Sequence, residues 1–189
     1  MLTAREIVRS VYGVWRLAHA DPGGMAYFDA TEEAFWRSFR VAILLLPLNV
    51  LGLWLQVDFA SPEGHWTRLI AVDLTAYAIA WMAYPLAARY LTTALDRDRE
   101  YVGYIVAYNW SNMITAPFGF VVLVLMLSGL LPVFVLHLLF VGMLAALALY
   151  AWFIARAALR IGPWQAAGLV AIDALITYLL FRVEASMIP

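Results

Sequence analysis

The chain has 189 residues, 65% hydrophobic and only 13% charged, with a formal net charge of −1 and a mean hydropathy of +0.82. A soluble domain carries about twice that charged fraction, so lipid must serve as solvent for much of this surface, and nothing in the charge balance points to nucleic acid. The absence of cysteine excludes disulfides, cysteine-ligated zinc, iron–sulfur clusters, covalent haem and thiol chemistry.

Thr3 to Ala18 reads as an amphipathic helix. At 100° per residue Arg5, Arg9 and Arg16 fall within about 40° of one another, opposite an apolar stripe that contains Val11, Val14 and Trp15. Such a helix either lies in the membrane interface or packs its stripe on the protein's own helices. The first forty residues hold no long apolar run, so the first span is expected to act as its own insertion signal. Turn chemistry at Asp21-Pro22-Gly23-Gly24 ends this helix. Asp29 or Thr31 then caps a new one, with Glu32 and Glu33 in its first turn. Glu33 and Arg37 are spaced for an i,i+4 pair. Phe35, Trp36 and Phe39 form an aromatic girdle, and the helix is expected to run on into the bilayer without a break.

Five apolar segments follow, at 41–57, 69–91, 102–127, 133–154 and 165–181, each near the roughly 20 residues that cross a hydrocarbon core of about 30 Å. The fold class expected is therefore all-α: an N-terminal segment, 1–30, followed by a single five-helix transmembrane bundle, 31–189. Ser128-Gly129-Leu130-Leu131-Pro132 is read as a tight hairpin between the third and fourth spans. Pro47, Pro85 and Pro117 lie inside three different spans, where each removes a backbone donor.

All basic residues are arginine, which together with heavy alanine use resembles a GC-rich bacterial genome. Arg5, Arg9, Arg16, Arg37 and Arg40 precede the first span, Arg89, Arg97 and Arg99 flank the second connection, and Arg156 and Arg160 lie in the fourth. Only Arg68 and Arg182 fall on the other side. The positive-inside rule makes the arginine-rich side cytoplasmic, so the N-terminus is expected inside, the C-terminus outside, and the location an inner membrane.

Intramembrane polar residues are the candidates for function. Asp73 sits about one turn into the second span and Asp173 near the middle of the fifth, where a carboxylate costs about 2.5–3.5 kcal/mol on insertion scales. His137 enters the fourth span at a depth similar to Asp73, so contact between the two is geometrically open. Asn109 and Asn112 lie near the depth of Asp173, and Asn49 adds a further amide. Together they form either a polar pathway or a set of hydrogen bonds that fixes helix packing. Gly103, Ala107 and Ser111, and again Gly142 and Ala146, place small residues four apart and permit close helix approach. His19, His65 and His137 occupy separate regions and form no ligand set. There is no GxSxG, HExxH or phosphate-binding glycine loop. No cofactor and no metal is expected.

Tyr101-Val102-Gly103-Tyr104-Ile105-Val106-Ala107-Tyr108 followed by Pro117, and Leu149-Tyr150-Ala151-Trp152 leading to Arg156, complete a layout that resembles the Yip-type membrane proteins, the Rab-GTPase-interacting group and its bacterial relatives. The resemblance covers roughly residues 32 to 181. It implies a non-enzymatic membrane protein that organises or binds partners. The acidic–aromatic N-terminal signature of eukaryotic members is missing, so Rab binding is not carried over. Two functions are therefore expected as alternatives. One is a non-catalytic scaffold or accessory subunit acting through helix association, with lipid, a second copy or another membrane protein as partner. The other is a small transporter or proton-coupled permease that uses Asp173 and Asp73.

Overall fold

The computed structural model describes residues 3–56 and 66–187; Val57 and the connection from Asp58 through His65 lie outside the described residues. Within them the chain is all-α, with no strand. Local signals set the helix starts. Thr3 accepts a hydrogen bond from the Glu6 N–H at 3.2 Å and opens α1, Ala4–Ala18, in the Thr-x-x-Glu pattern of a capping box. Asp21 caps a short 3-10 helix, Pro22–Tyr27, through the Gly23 N–H at 2.8 Å. Thr31 rather than Asp29 caps α2, Glu32–Ser38, through the Ala34 N–H at 3.2 Å.

Then come α3, Arg40–Gln56, α4, Trp66–Ala94, α5, Tyr101–Leu127, α6, Val133–Leu159, and α7, Pro163–Met187. Five helices are long and apolar enough to cross a membrane, the first being α2 and α3 taken together, Glu32–Gln56. The expected unbroken first helix is interrupted at one residue, Phe39, whose carbonyl accepts from Ala42, three residues on. At their arginine-rich ends α4, α6 and α7 extend two to five residues beyond the expected spans. The reason is that hydropathy marks only the hydrocarbon part of a helix whose polar ends stay helical. The hairpin is present between Leu127 and Val133, with Gly129 at φ +67°, a left-handed turn that glycine adopts without strain.

Alternation of the spans brings the N-terminal segment, the α4–α5 turn and the α6–α7 turn to one end of the bundle, here the arginine-rich end. The buried core is concentrated there. It includes Val41 and Leu45 of α3, Tyr84 and Ala88 of α4, Tyr104 through Ala107 and Trp110 of α5, and Ile154 and Leu159 of α6. In the opposite half α3 and α5 keep only Gly52 and Val122 buried. α6 has no buried residue from 133 to 153.

α1 lies across this core, packed on α5 and α6. Its amphipathic stripe is divided. Val14 and Leu17 are buried in the core, whereas Val8, Tyr12 and Trp15 stay open to the surroundings. The arginine stripe does not face water alone, because the chain folds back over it. Arg9 pairs with Asp29 at 3.2 Å, and Arg16 donates to Asp21 at 2.6 Å. That hydrogen bond, with a second from the Gly23 N–H, holds the Asp21 carboxyl below its ordinary range. Tyr150 of α6 donates to the Val14 carbonyl at 2.8 Å and ties the N-terminal segment to the bundle. Seating it also needs two glycines: a Cβ on Gly24 would stand 2.6 Å from the Gly13 carbonyl oxygen.

Candidate functional site

Where the core stops, α3, α4, α5 and α7 border a half-open cavity of about 500 Å³. Each wall is a polar stripe at helical spacing. α3 supplies Asn49 and Gln56, α4 supplies Asp73, Tyr77 and Tyr84, α5 supplies Tyr108 and Asn112, and α7 supplies Asp173, Thr177 and Glu184. α4 packs chiefly on α7 and meets α3 and α5 sparingly. Side chains bridge the gap between α3 and α4: the Asn49 amide donates to Asp73 at 2.8 Å, and the Tyr77 hydroxyl donates to the Ala42 carbonyl at 2.7 Å.

The cavity runs from a tyrosine floor to the end opposite the arginines. Tyr84 and Tyr104 are buried and share a hydrogen bond between their hydroxyls. The Tyr108 ring packs at a tilt of 38° against Tyr84, with centroids 4.6 Å apart. Below them the Tyr101 hydroxyl donates to the Pro85 carbonyl at 3.0 Å. Asp173 stands on this floor, and both its oxygens take the Tyr108 hydroxyl, at 3.0 and 3.2 Å. It lies ten residues along α7, roughly 15 Å from the helix start at 1.5 Å per residue. Gln56 and Glu184, in the last turns of α3 and α7, line the other extreme.

The expected polar residues are therefore only partly brought together. Asp73, Asp173 and Asn112 line one cavity. His137 does not join them: it is exposed on α6, bonded to its own helix at the Val133 carbonyl, 2.9 Å away, and the contact with Asp73 that its depth left open is not made. Asn49 takes that place. Asn109 is fully buried in the core and donates to Ser38 Oγ at 2.8 Å, which makes it a packing residue. Asn112 turns back to the Tyr108 carbonyl at 3.2 Å while lining the cavity.

Sequence reasoning missed Tyr77, Tyr84, Tyr108 and Glu184: a tyrosine within a span carries little cost by itself, and Glu184 falls beyond the expected fifth span, 165–181. The available signal was periodicity. Asp73, Tyr77 and Tyr84 lie on one face of α4, as do Asp173, Thr177 and Glu184 on α7.

At the arginine-rich end a second cavity, about 490 Å³, is lined by Arg5, Glu6, Arg9, Asp29 and Arg37 among others. Its charges are largely matched internally, with Arg37 Nε 3.2 Å from Glu6 and Arg9 on Asp29. Among the described residues no three His, Cys, Asp or Glu side chains converge on a metal-binding arrangement. No protein-family model, curated protein or solved structure matches this chain.

Proposed function

We propose that this protein binds a small solute within the membrane, as a small permease or its binding component, and carries out no covalent chemistry. One observation carries the reading: a cavity of drug-ligand size reaches Asp173 at mid-depth. Cavities of about 300–1,000 Å³ with a few convergent polar groups are the usual form of small-molecule sites. An acidic residue deep in a membrane helix marks a solute or proton route by default. With the arginine-rich end in the cytoplasm, the cavity faces outward and the tyrosine layer closes it from inside. The location is then the inner membrane of a bacterium, with the N-terminus in the cytoplasm.

The absence of native cysteine makes the test direct. Ala116 lines the cavity, whereas Val122 on the same helix is buried. In purified protein, A116C should react with a small, neutral, water-soluble methanethiosulfonate at least tenfold faster than V122C. Equal, slow reaction at both positions would mean that the cavity holds no water and would end this reading.

Helix-mediated association, the class to which a Yip-type protein would belong, has one observation in its favour. Gly142 sits on the unburied stretch of α6, and a Cβ there would meet nothing within 4 Å. If copies associate on that face, G142L reduces the sedimenting mass of the particle; an unchanged mass removes that contact.

A further inference from the structure

We infer that the cavity is selective for a small organic cation, an ammonium group carried on an apolar or aromatic body. This rests on the reading of the cavity as a solute site and names the chemistry of its ligand. The first argument is charge. Three carboxylates, Asp73, Asp173 and Glu184, line the cavity, and among the described residues no arginine, lysine or histidine does.

The second argument is unspent acceptor capacity. A carboxylate has about four acceptor sites. Asp173 receives one hydroxyl and Asp73 one amide. No hydrogen bond reaches Glu184 among the described residues. An ammonium supplies both the donors and the charge that this lining lacks.

The third argument is spread. The three acids do not meet at one point: Asp173 stands on the floor, whereas Asp73 of α4 and Glu184 of α7 lie toward the opposite end. They do not gather as a metal site. A bare metal ion requires oxygens at about 2.0–2.6 Å around one point, whereas an organic cation fills a longer space and leaves acids along its route.

The fourth argument is the wall. Tyr77, Trp81, Tyr84, Tyr108 and Phe120 line the same cavity. Aromatic faces attract cations, organic ammonium groups in particular. A wall of aromatic residues with acids between them suits an amine and disfavours an anion.

The test uses the full-length A116C protein in detergent and reads the rate of labelling by the neutral thiol reagent. Three soluble competitors differ in charge and share a benzyl body: benzylammonium, which carries three N–H donors, benzyl alcohol and benzylsulfonate. The cation should halve labelling at a concentration at least tenfold below either of the others. D73N, E184Q and D173N, each combined with A116C and checked for an unchanged gel-filtration profile, should each raise that concentration threefold or more. Three variants keep the test valid should one fail to fold. If A116C labels but the neutral or anionic competitor protects as well as the cation, or none protects, the cation inference is wrong and the wet cavity stands. If A116C does not label, the cavity reading falls first and this inference with it.

Discussion

The link between Asp173 and the bundle is a single hydroxyl, and a double-mutant cycle over Y108F and D173A measures it. Tyr108 has one proton to give, so its two contacts at 3.0 and 3.2 Å count as one bifurcated bond. A hydrogen bond to a charged group is worth about 1.5–3 kcal/mol in soluble proteins. Between membrane helices the measured average is about 0.6 and the maximum about 1.7 kcal/mol. Asp173 is only half-buried and faces the cavity, so other donors can replace part of the lost bond. The lower scale should therefore govern, and the expected coupling is about 1 kcal/mol. Y108F alone should destabilise by that amount. D173A alone should be neutral or stabilising, because it removes a carboxylate whose insertion costs about 2.5–3.5 kcal/mol. Y108F made in the D173A background should then cost almost nothing. Reversible unfolding in mixed micelles gives all four corners of the cycle. Equal costs of Y108F in both backgrounds, within about 0.3 kcal/mol, would show that this hydroxyl does not hold the carboxylate.

Gly24 and Gly142 should respond oppositely to alanine. A Cβ at Gly24 meets a backbone oxygen at 2.6 Å, so G24A should cost about 1–3 kcal/mol and expose the 3-10 turn to protease. G142A has open space and should gain about 0.5–1 kcal/mol in helix propensity, read as a higher unfolding midpoint. S38A deprives the buried Asn109 amide of its acceptor and should cost about 1–3 kcal/mol, while S38A combined with N109L recovers much of the loss; a double variant less stable than S38A would contradict this. The Asp21 carboxyl is held low by Arg16 and then by the Gly23 N–H. Its stabilising effect is therefore fully present above its ordinary pKa of 3.8 and fades as pH falls below that value toward its folded one. Protease protection of the turn should follow that acid titration, and D21N should abolish the dependence.

Much of the architecture was legible because membrane helices announce themselves by length and apolarity, and arginine placement constrains their alternation. The cap at Thr31, one of two candidates beside Asp29, and the Ser128–Pro132 hairpin follow from local chemistry. The cavity was less legible. Asp73 and Asp173 stood out because each is costly alone, but their partners carry no comparable cost. A tyrosine costs little at any depth, so Tyr108 and Tyr84 drew no attention as single residues. Rotation of α6 about its axis is set by packing with neighbours, so depth along the span said nothing about His137 facing outward. Asn109 and Asn112 look equivalent three residues apart, but packing against Ser38 buries the first and the cavity receives the second.

The Tyr150–Val14 hydrogen bond joins residues 136 positions apart, and this has a consequence for biogenesis. At a synthesis rate of about 5–20 residues per second, roughly 7–27 s separate the emergence of Val14 from that of its anchor. For most of that interval α5 and α6, which form its seat, are incomplete. The apolar stripe of Val11, Val14 and Trp15 needs a surface in the meantime, and the nearest is the bilayer receiving the first span. The N-terminal helix would thus rest on lipid while it waits and move onto protein once α6 has been inserted. Its amphipathic pattern serves both stages, the first for seconds and the second for the lifetime of the folded protein.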